Sequence, residues 1–320
     1  MRAIAVSAFR AGPALVEVPK PEPAAGEVRV RVEYASLNPY DWQTADGSLD
    51  GQVPHVFPLV VGADFAGRVD MIGGGDNRFR VGDKVFGRAG GPPVGAGTYC
   101  DYVCVPQDSA IALVPLGLDG RFAAAIPTAG MAAAQILEAA VLRGHESLLV
   151  IGAAGGVGSC LTQLAKARDV RVIAAVRGDE RSRMGSLGAA VTIDTTDGPA
   201  SDALRAACPD GIDALADLAS ADPETFAAHA ATVRPGGIAL STRGVAAGAS
   251  LPAGVRGIDF RLDPTPVLLD ILAAGAADGV LRVPIDIELP LEKAPEALDR
   301  NRTGGARGKT VIVLRNHGHR

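Results

Sequence analysis

The stretch "LLVIGAAGGVGSCLTQLAKARDVRVIAAVRG", residues 148–178, constrains the fold of this chain more than any other. An apolar run over 148–151 breaks into small residues, and apolar positions then recur at helical spacing at Val157, Leu161 and Leu164. A second apolar run follows over 170–176. Short continuous apolar runs suit strands buried on both faces, so the segment reads as strand, tight turn, helix and second strand.

Small residues at such a turn let backbone amides come close to a pyrophosphate, which then sits on the positive end of the following helix. Ala153, Gly155 and Gly158 fall on the three glycine positions of the dinucleotide fingerprint, with alanine at the first, and Ala154, Gly156 and Val157 complete the loop. An ordinary tight connection is the plain alternative, but the strand before, helix after and second strand in register favour a dinucleotide site. About 20 residues further on, an NAD-specific site places Asp or Glu against the ribose 2′-hydroxyl. This chain has Val176 and Arg177 there. A guanidinium takes a 2′-phosphate through charge-assisted bonds, so NADP(H) is the expected cofactor. Arg181 and Arg183 are the alternatives for that role, and a solvated strand-end charge is the plain reading of Arg177.

At 320 residues there is room for two domains. A net charge of -5 without a basic block argues against a nucleic-acid or anionic-membrane partner. Basic groups gather only in the closing "RNHGHR", read as a frayed tail. Cys100, Cys104, Cys160 and Cys208 are too few and scattered for a disulfide framework. They read as free thiols of a reducing cytoplasm, and Cys100 with Cys104 lacks the second pair of a structural zinc site. Arg10 cuts short the first apolar stretch, so the amino terminus reads as a strand and not a signal peptide. Residues 123–142 contain Pro127, Gly130, Gln135 and Glu138 and read as a buried helix, not a membrane span.

Before Leu116 the pattern is short β segments punctuated by glycine and proline. In "GEVRVRVEYASLNP", Val28, Val30 and Val32 alternate with Arg29, Arg31 and Glu33, predicting one buried and one wet face. The stretches "LVVGADFAGRVDMIG", "GDKVFG" and "GTYCDYVCVP" add strands of a partly barrel-like domain. From about 118 to 255 helix and strand alternate, beginning with a helix near 128–142 stopped by Gly144, which predicts an α/β doubly wound parallel sheet. Later segments, closing on "GKTVIVL", are expected to return to the first domain.

Taken together, "ASLNPYDWQTADG", "VVGADFAGRV", "RVGDKVFG", "GTYCDYVCVP", "AAAIPTAGMAAAQIL", "VIGAAGGVGSCLTQLAKA" and "GGARGKTVIVL" resemble the zinc-independent quinone oxidoreductases of the medium-chain dehydrogenase/reductase superfamily. The resemblance runs in order over nearly the whole chain. It implies a GroES-like β-rich catalytic domain from residues 1–118 and 258–320, a Rossmann NADP(H)-binding domain from 119–257, an active site in the cleft, and a homodimer. Zinc-dependent relatives place a Cys and a His-Glu pair where this chain has Asn38, Ala63 and Asp64. Catalytic zinc needs three protein ligands, and neither Asp64 alone nor His55, His145, His229, His317 and His319 supplies such a set. The expected chain is therefore metal-free.

The resemblance also places Asn38 and Asp41 beside the nicotinamide, with a turn residue before Pro39 as the plain reading of Asn38. Tyr40 is a candidate proton donor or a packed aromatic, Trp42 a pocket wall or core filler, and His55 a loop histidine. Many relatives carry an arginine and a tyrosine where this chain has Ala45 and Leu49, and a threonine near Ala132. In enoyl reductase branches that tyrosine is a proposed proton donor, so its loss counts against that chemistry and suggests a specialised substrate. Thr128, Lys309 with Gly308, and Ser241, Thr242 and Arg243 at the carboxyl end of a strand are further cofactor-binding candidates, with loop polarity and a strand-entry turn as their plain readings. The leading expectation is an NADPH-dependent reductase of a small-molecule quinone or related conjugated carbonyl. An enone or enoyl carbon–carbon double-bond reductase on a polyketide-like intermediate and a non-catalytic NADPH-binding protein are the alternatives.

Overall fold

The computed structural model describes residues 1–196, 201–304 and 306–314. The basic tail with His317 and His319, and Gly305 of "GGARGK", lie outside the described residues. The chain divides into two compact units, Met1–Met131 with Pro264–Arg320, and Ala132–Asp263.

The first unit opens with β1 (Arg2–Val6), β2 (Ala14–Glu17), β3 (Glu27–Ser36), the short helix α1 (Pro39–Ala45) and β4 (His55–Val60). Next come β5 (Asp64–Ile72), β6 (Lys84–Arg88), β7 (Val94–Ala96), β8 (Tyr102–Pro106), β9 (Ile111–Leu113), α2 (Gly120–Ala125) and the start of α3 (Pro127–Ala139), whose residues from Ala132 on belong to the second unit. One sheet has the order β2-β1-β4-β7. Antiparallel pairing of β3 with both β5 and β8 builds the other, and Val28, Val30 and Val32 are buried as their alternation predicts. Arg29 departs from the expected wet face. It is 7% exposed, because Asp70 and Glu22 accept its guanidinium at 3.0 and 2.9 Å and the Tyr102 ring covers it. The α3 helix stops at Ala139, before the expected 142, where Val141 leaves the helical region at φ 52°.

The second unit contains β10 (Ser147–Ile151), α4 (Gly156–Ala167), β11 (Arg171–Val176), α5 (Arg181–Ser186) and β12 (Val191–Asp194). It continues through α6 (Ser201–Ala207), β13 (Ile212–Asp217), α7 (Pro223–Ala230), β14 (Val233–Ser241) and β15 (Arg256–Asp259). All pairs in its sheet are parallel and the order is β12-β11-β10-β13-β14-β15. Counted from β10 this is 3-2-1-4-5-6, the doubly wound arrangement. Its direction reverses between β10 and β13, whose carboxyl ends Ile151 and Asp217 are in register. Leu148, Leu149, Val150 and Ile173 are fully buried, as expected for strands covered on both faces.

The chain returns to the first unit through α8 (Pro266–Ala277), β16 (Ile285–Pro290), α9 (Ala294–Arg302) and β17 (Lys309–Val313). Strand β17 pairs with β3, joining the two chain ends in a seven-stranded sheet. This is the GroES-like, β-rich part of an α/β protein.

Candidate active site

Strand β3 ends at Ser36, and the "NPYD" segment turns the chain into α1. Pro39 suits the first helical turn because its missing N–H costs nothing there. Asn38 precedes it in extended geometry, and its backbone N–H donates to Asp41 Oδ2 at 2.9 Å. An acid at the third helical position commonly reaches back in this way. Turn chemistry thus explains why Asn38 and Asp41 stand together.

Their surroundings are less ordinary for a turn. The Asn38 amide donates to Asp64 Oδ2 at 3.0 Å and accepts from Lys309 Nζ at 2.7 Å. Lys309 also donates to the Leu37 carbonyl at 2.8 Å and stands 3.6 Å from Asp64. Thr128 donates its hydroxyl to Asp64 Oδ1 at 2.6 Å and its N–H to Oδ2 at 3.1 Å. Asn38, Asp64 and Lys309 are buried at 4, 0 and 3% exposure, deep enough for an unpaired charge to be very costly. Three of the expected residues, Asn38, Thr128 and Lys309, therefore meet in one network around Asp64. Its carboxylate oxygens are taken up by protein donors and a lysine, a poor arrangement for a metal ligand. Among the described residues no three His, Cys, Asp or Glu side chains gather at metal-binding spacing.

Asp41 sits on a neighbouring branch. Tyr99 donates to its Oδ2 at 2.9 Å, while its Oδ1 is buried without a hydrogen-bond partner. Burial, with the nearby Asp64 charge, pushes the Asp41 carboxyl up to about 7 against the bonds from Asn38 and Tyr99 and the charge of Lys309. Burial, with Asp41 beside it, holds the Tyr99 phenol well above its ordinary range, so Tyr99 remains a donor. Tyr40 is outside this network, half-buried with the Arg88 guanidinium 5.0 Å from its ring. Trp42 donates to Asn301 at 3.1 Å and lies under Arg302, so it packs on α9. His55 lies in β4 with its ring edge against Phe9, which replaces the loop expected there.

In the second unit, the β10–α4 turn is built on Gly152, Gly155 and Gly158. The left-handed position belongs to Gly152, at φ +77°, so the tight turn has its glycine and Ala153 is a buried residue behind it. Gly155 caps α4. A Cβ on Gly158 would stand 2.5 Å from Ala153 Cα, so only glycine allows the helix this close to the turn. With Ala154, Gly156 and Val157 between them, these glycines form a cradle of nearly bare backbone over the turn and the first residues of α4, which fits a dinucleotide pyrophosphate. Arg177 follows the end of β11 and is exposed, as is Arg181 at the start of α5. Arg183 is committed elsewhere, bonded to the Ala154 carbonyl at 3.0 Å and Glu180 at 2.7 Å. The Ser241 hydroxyl accepts from the Arg243 N–H at 3.1 Å, and the Thr242 N–H donates to the Asp217 carbonyl at 3.1 Å. Ser241 and Thr242 thus brace the strand end, and the Arg243 side chain is exposed.

The profile of the alcohol dehydrogenase GroES-like domain matches residues 24–115, and that of the zinc-binding dehydrogenase matches residues 187–312. The chain is 29% identical to the chloroplast envelope quinone oxidoreductase homolog of Arabidopsis thaliana, over 93% of this chain and 92% of that one. It is 31% identical to the 2-methylene-furan-3-one reductase of Solanum lycopersicum, over 89% of this chain and 71% of that one. The solved quinone oxidoreductase of Coxiella burnetii superposes with a TM-score of 0.86 at 28% identity, covering 98% of this chain and 99% of that one. Such relatives make the protein an oxidoreductase and set aside a non-catalytic role. The chain belongs to the zinc-independent quinone oxidoreductase family of the medium-chain dehydrogenase/reductase superfamily.

Proposed function

We propose that the protein is an NADPH-dependent reductase that passes hydride to a quinone or a related conjugated carbonyl. One observation carries the reading: Lys309 neutralises Asp64 where zinc-dependent relatives hold their metal. An electron-poor acceptor, which takes hydride without strong polarisation of a carbonyl, suits such a site. When bound, the dinucleotide supplies the hydride, and the chain supplies position, exclusion of water and a proton.

The residues divide that work. The Gly152–Gly158 backbone and the start of α4 receive the pyrophosphate, and Arg177, supported by Arg181, receives the 2′-phosphate. Arg243, with Ser241 and Thr242 holding its strand end, is a further cofactor candidate. Asn38 is locked by Lys309 and Asp64, so its amide is oriented before any ligand arrives. Thr128 keeps Asp64 in place. Asp41 holds a proton near neutral pH, which supports the second reading, reduction of a carbon–carbon double bond. Such a reaction leaves an enolate that must be protonated, and Asp41 or Tyr40 is the candidate source. The name of the tomato relative, a reductase of a methylene-furanone, favours the same reading.

The four cysteines are free, consistent with a reducing compartment and the cytoplasmic location we assign. No described helix is long and apolar enough to cross a membrane. A homodimer is part of the proposal, checked by light scattering. To separate the two chemistries, NADPH oxidation is followed with a planar ortho-quinone and with an α,β-unsaturated ketone, and the products are identified. Hydroquinone as the main product supports the first reading and a saturated ketone the second; no oxidation with either sinks both.

A further inference from the structure

Five buried side-chain polar atoms among the described residues lack a hydrogen-bond partner; two of them, Asp41 Oδ1 and Thr44 Oγ1, belong to residues that line one cavity of the first unit, and a third, Arg88 Nε, belongs to the residue that precedes its Ala89 wall. Asp41, Thr44 and Tyr40 line the cavity from α1, and Ala89 and Gly90 line it from the loop after β6. Its volume of about 200 Å³ is room for a small polar group and part of its carbon frame. Beyond Ala89 the wall mixes glycine backbone with Pro92, Pro93 and Val94. Gly90, Gly91 and Gly95 have φ of +129°, +152° and +154°, which side chains rarely adopt.

Arg88 is the cation that stands against two walls of this cavity, Tyr40 and Gly90, whose lining also includes Glu27. Its guanidinium lies 5.0 Å from the Tyr40 ring centroid, and its Nη1 is 3.5 Å from where a Cβ on Gly90 would stand. Among the described residues no carboxylate pairs with it. Arg29 and Arg121, by contrast, each hold two acids. A cation stacked on an aromatic face with an unfilled donor is prepared for a planar anion, because guanidinium and carboxylate match in shape. Thr44 contributes a second unfilled donor. Asp41 becomes a third when protonated: Oδ2 already accepts from Asn38 and Tyr99, which leaves Oδ1 to carry the proton.

We propose that this cavity selects acceptors that carry a carboxylate, with Arg88 as the specificity-determining residue and Thr44 and Asp41 as supporting donors. The inference rests on the reductase reading above for the word acceptor, but not for the anion site itself. A dinucleotide phosphate is the other possible source of an oxyanion, and it separates experimentally from an acceptor carboxylate.

The test compares 3-benzoylacrylate with its methyl ester as acceptors for the full chain and for Arg88→Gln and Arg88→Lys, each checked for unaltered thermal unfolding. Benzoate and methyl benzoate binding is measured calorimetrically in parallel, without turnover. The wild type is expected to favour the acid over the ester at least tenfold in kcat/KM. Arg88→Gln should raise KM for the acid at least tenfold, leave KM for the ester and for NADPH within about twofold, and weaken benzoate binding equally. Arg88→Lys, which keeps charge but not planarity, should fall between. Equal use of acid and ester by the wild type, or an Arg88→Gln effect confined to NADPH, overturns the proposal. If neither acceptor is reduced but benzoate binds in an Arg88-dependent way, the anion site stands and the reductase reading falls. If benzoate does not bind and neither acceptor is reduced, both fall.

Discussion

The polar network around Asp64 and the turn that follows β10 prepare a site in opposite ways. Around Asp64 side chains hold side chains: Asn38, Thr128 and Lys309 are buried or half-buried and bonded before any ligand is present. At the β10–α4 turn the backbone is fixed by Gly152 and Gly158, while Arg177 stays exposed. A buried charged network makes stability and site geometry inseparable, whereas an exposed arginine on a rigid turn can set cofactor preference at little cost to folding. Substitutions should therefore cost the first unit its fold and the second only its ligand.

The largest effect is expected from Asp64→Ala, which leaves the Lys309 ammonium buried without its acid. Loss of one partner from such a pair costs about 3–5 kcal/mol, read as a lower urea midpoint. Lys309→Met combined with it should recover part of the loss, since both charges are then gone. If Asp64→Ala unfolds like the wild type, the network is not holding the site.

Asp41→Asn should act through pH. Folded Asp41 keeps its proton up to about pH 7, whereas the ordinary value is 3.8, so the native state binds more protons between those values. Its contribution is fully present below the lower value and is lost as pH rises through the upper one, an effect on the order of a few kcal/mol. Asparagine keeps an acceptor for Asn38 and Tyr99 and has no charge to bury. The wild type should lose stability between pH 5 and 8 relative to Asp41→Asn, as seen by thermal melts across that range. Parallel pH profiles would count against the buried, half-bonded carboxyl.

At the turn the effects are smaller and specific. Gly158→Ala pushes a methyl against Ala153 and should weaken dinucleotide binding at least tenfold by titration, with a modest change in melting temperature. Arg177→Ala should lower NADPH affinity by about 1.5–3 kcal/mol, roughly tenfold or more, and leave NADH affinity and folding unchanged. A comparable loss for both cofactors would place the 2′-phosphate elsewhere, with Arg181 next to be tested.

The two regions were also unequally legible from sequence. Periodicity alone located β10, α4 and β11, since a buried parallel strand and an amphipathic helix repeat over short distances. The part played by Gly152 does not show there, because it is distinguished by its positive φ and not by its neighbours. In the first unit, "NPYD" announced a site through family resemblance, but the partners that make it one did not follow. Asp64 lies 26 residues from Asn38 and Tyr99 lies 58 from Asp41, and only the pairing of β3 with β5 and the closing of the sheet bring them together. Arg88 gave no local signal, since its lack of an acidic partner is a property of the folded neighbourhood. Arg29, read as solvated, is buried because Asp70 lies on the strand next to it.

NADPH-dependent quinone reduction through Arg177 is put to the test by initial rates of NADPH and NADH oxidation with one planar ortho-quinone, for the wild type and Arg177→Ala. Oxidation of NADPH at least tenfold faster than NADH at subsaturating cofactor, with the preference erased by the substitution, is the predicted result. No oxidation of either cofactor, or a preference for NADH, would contradict it.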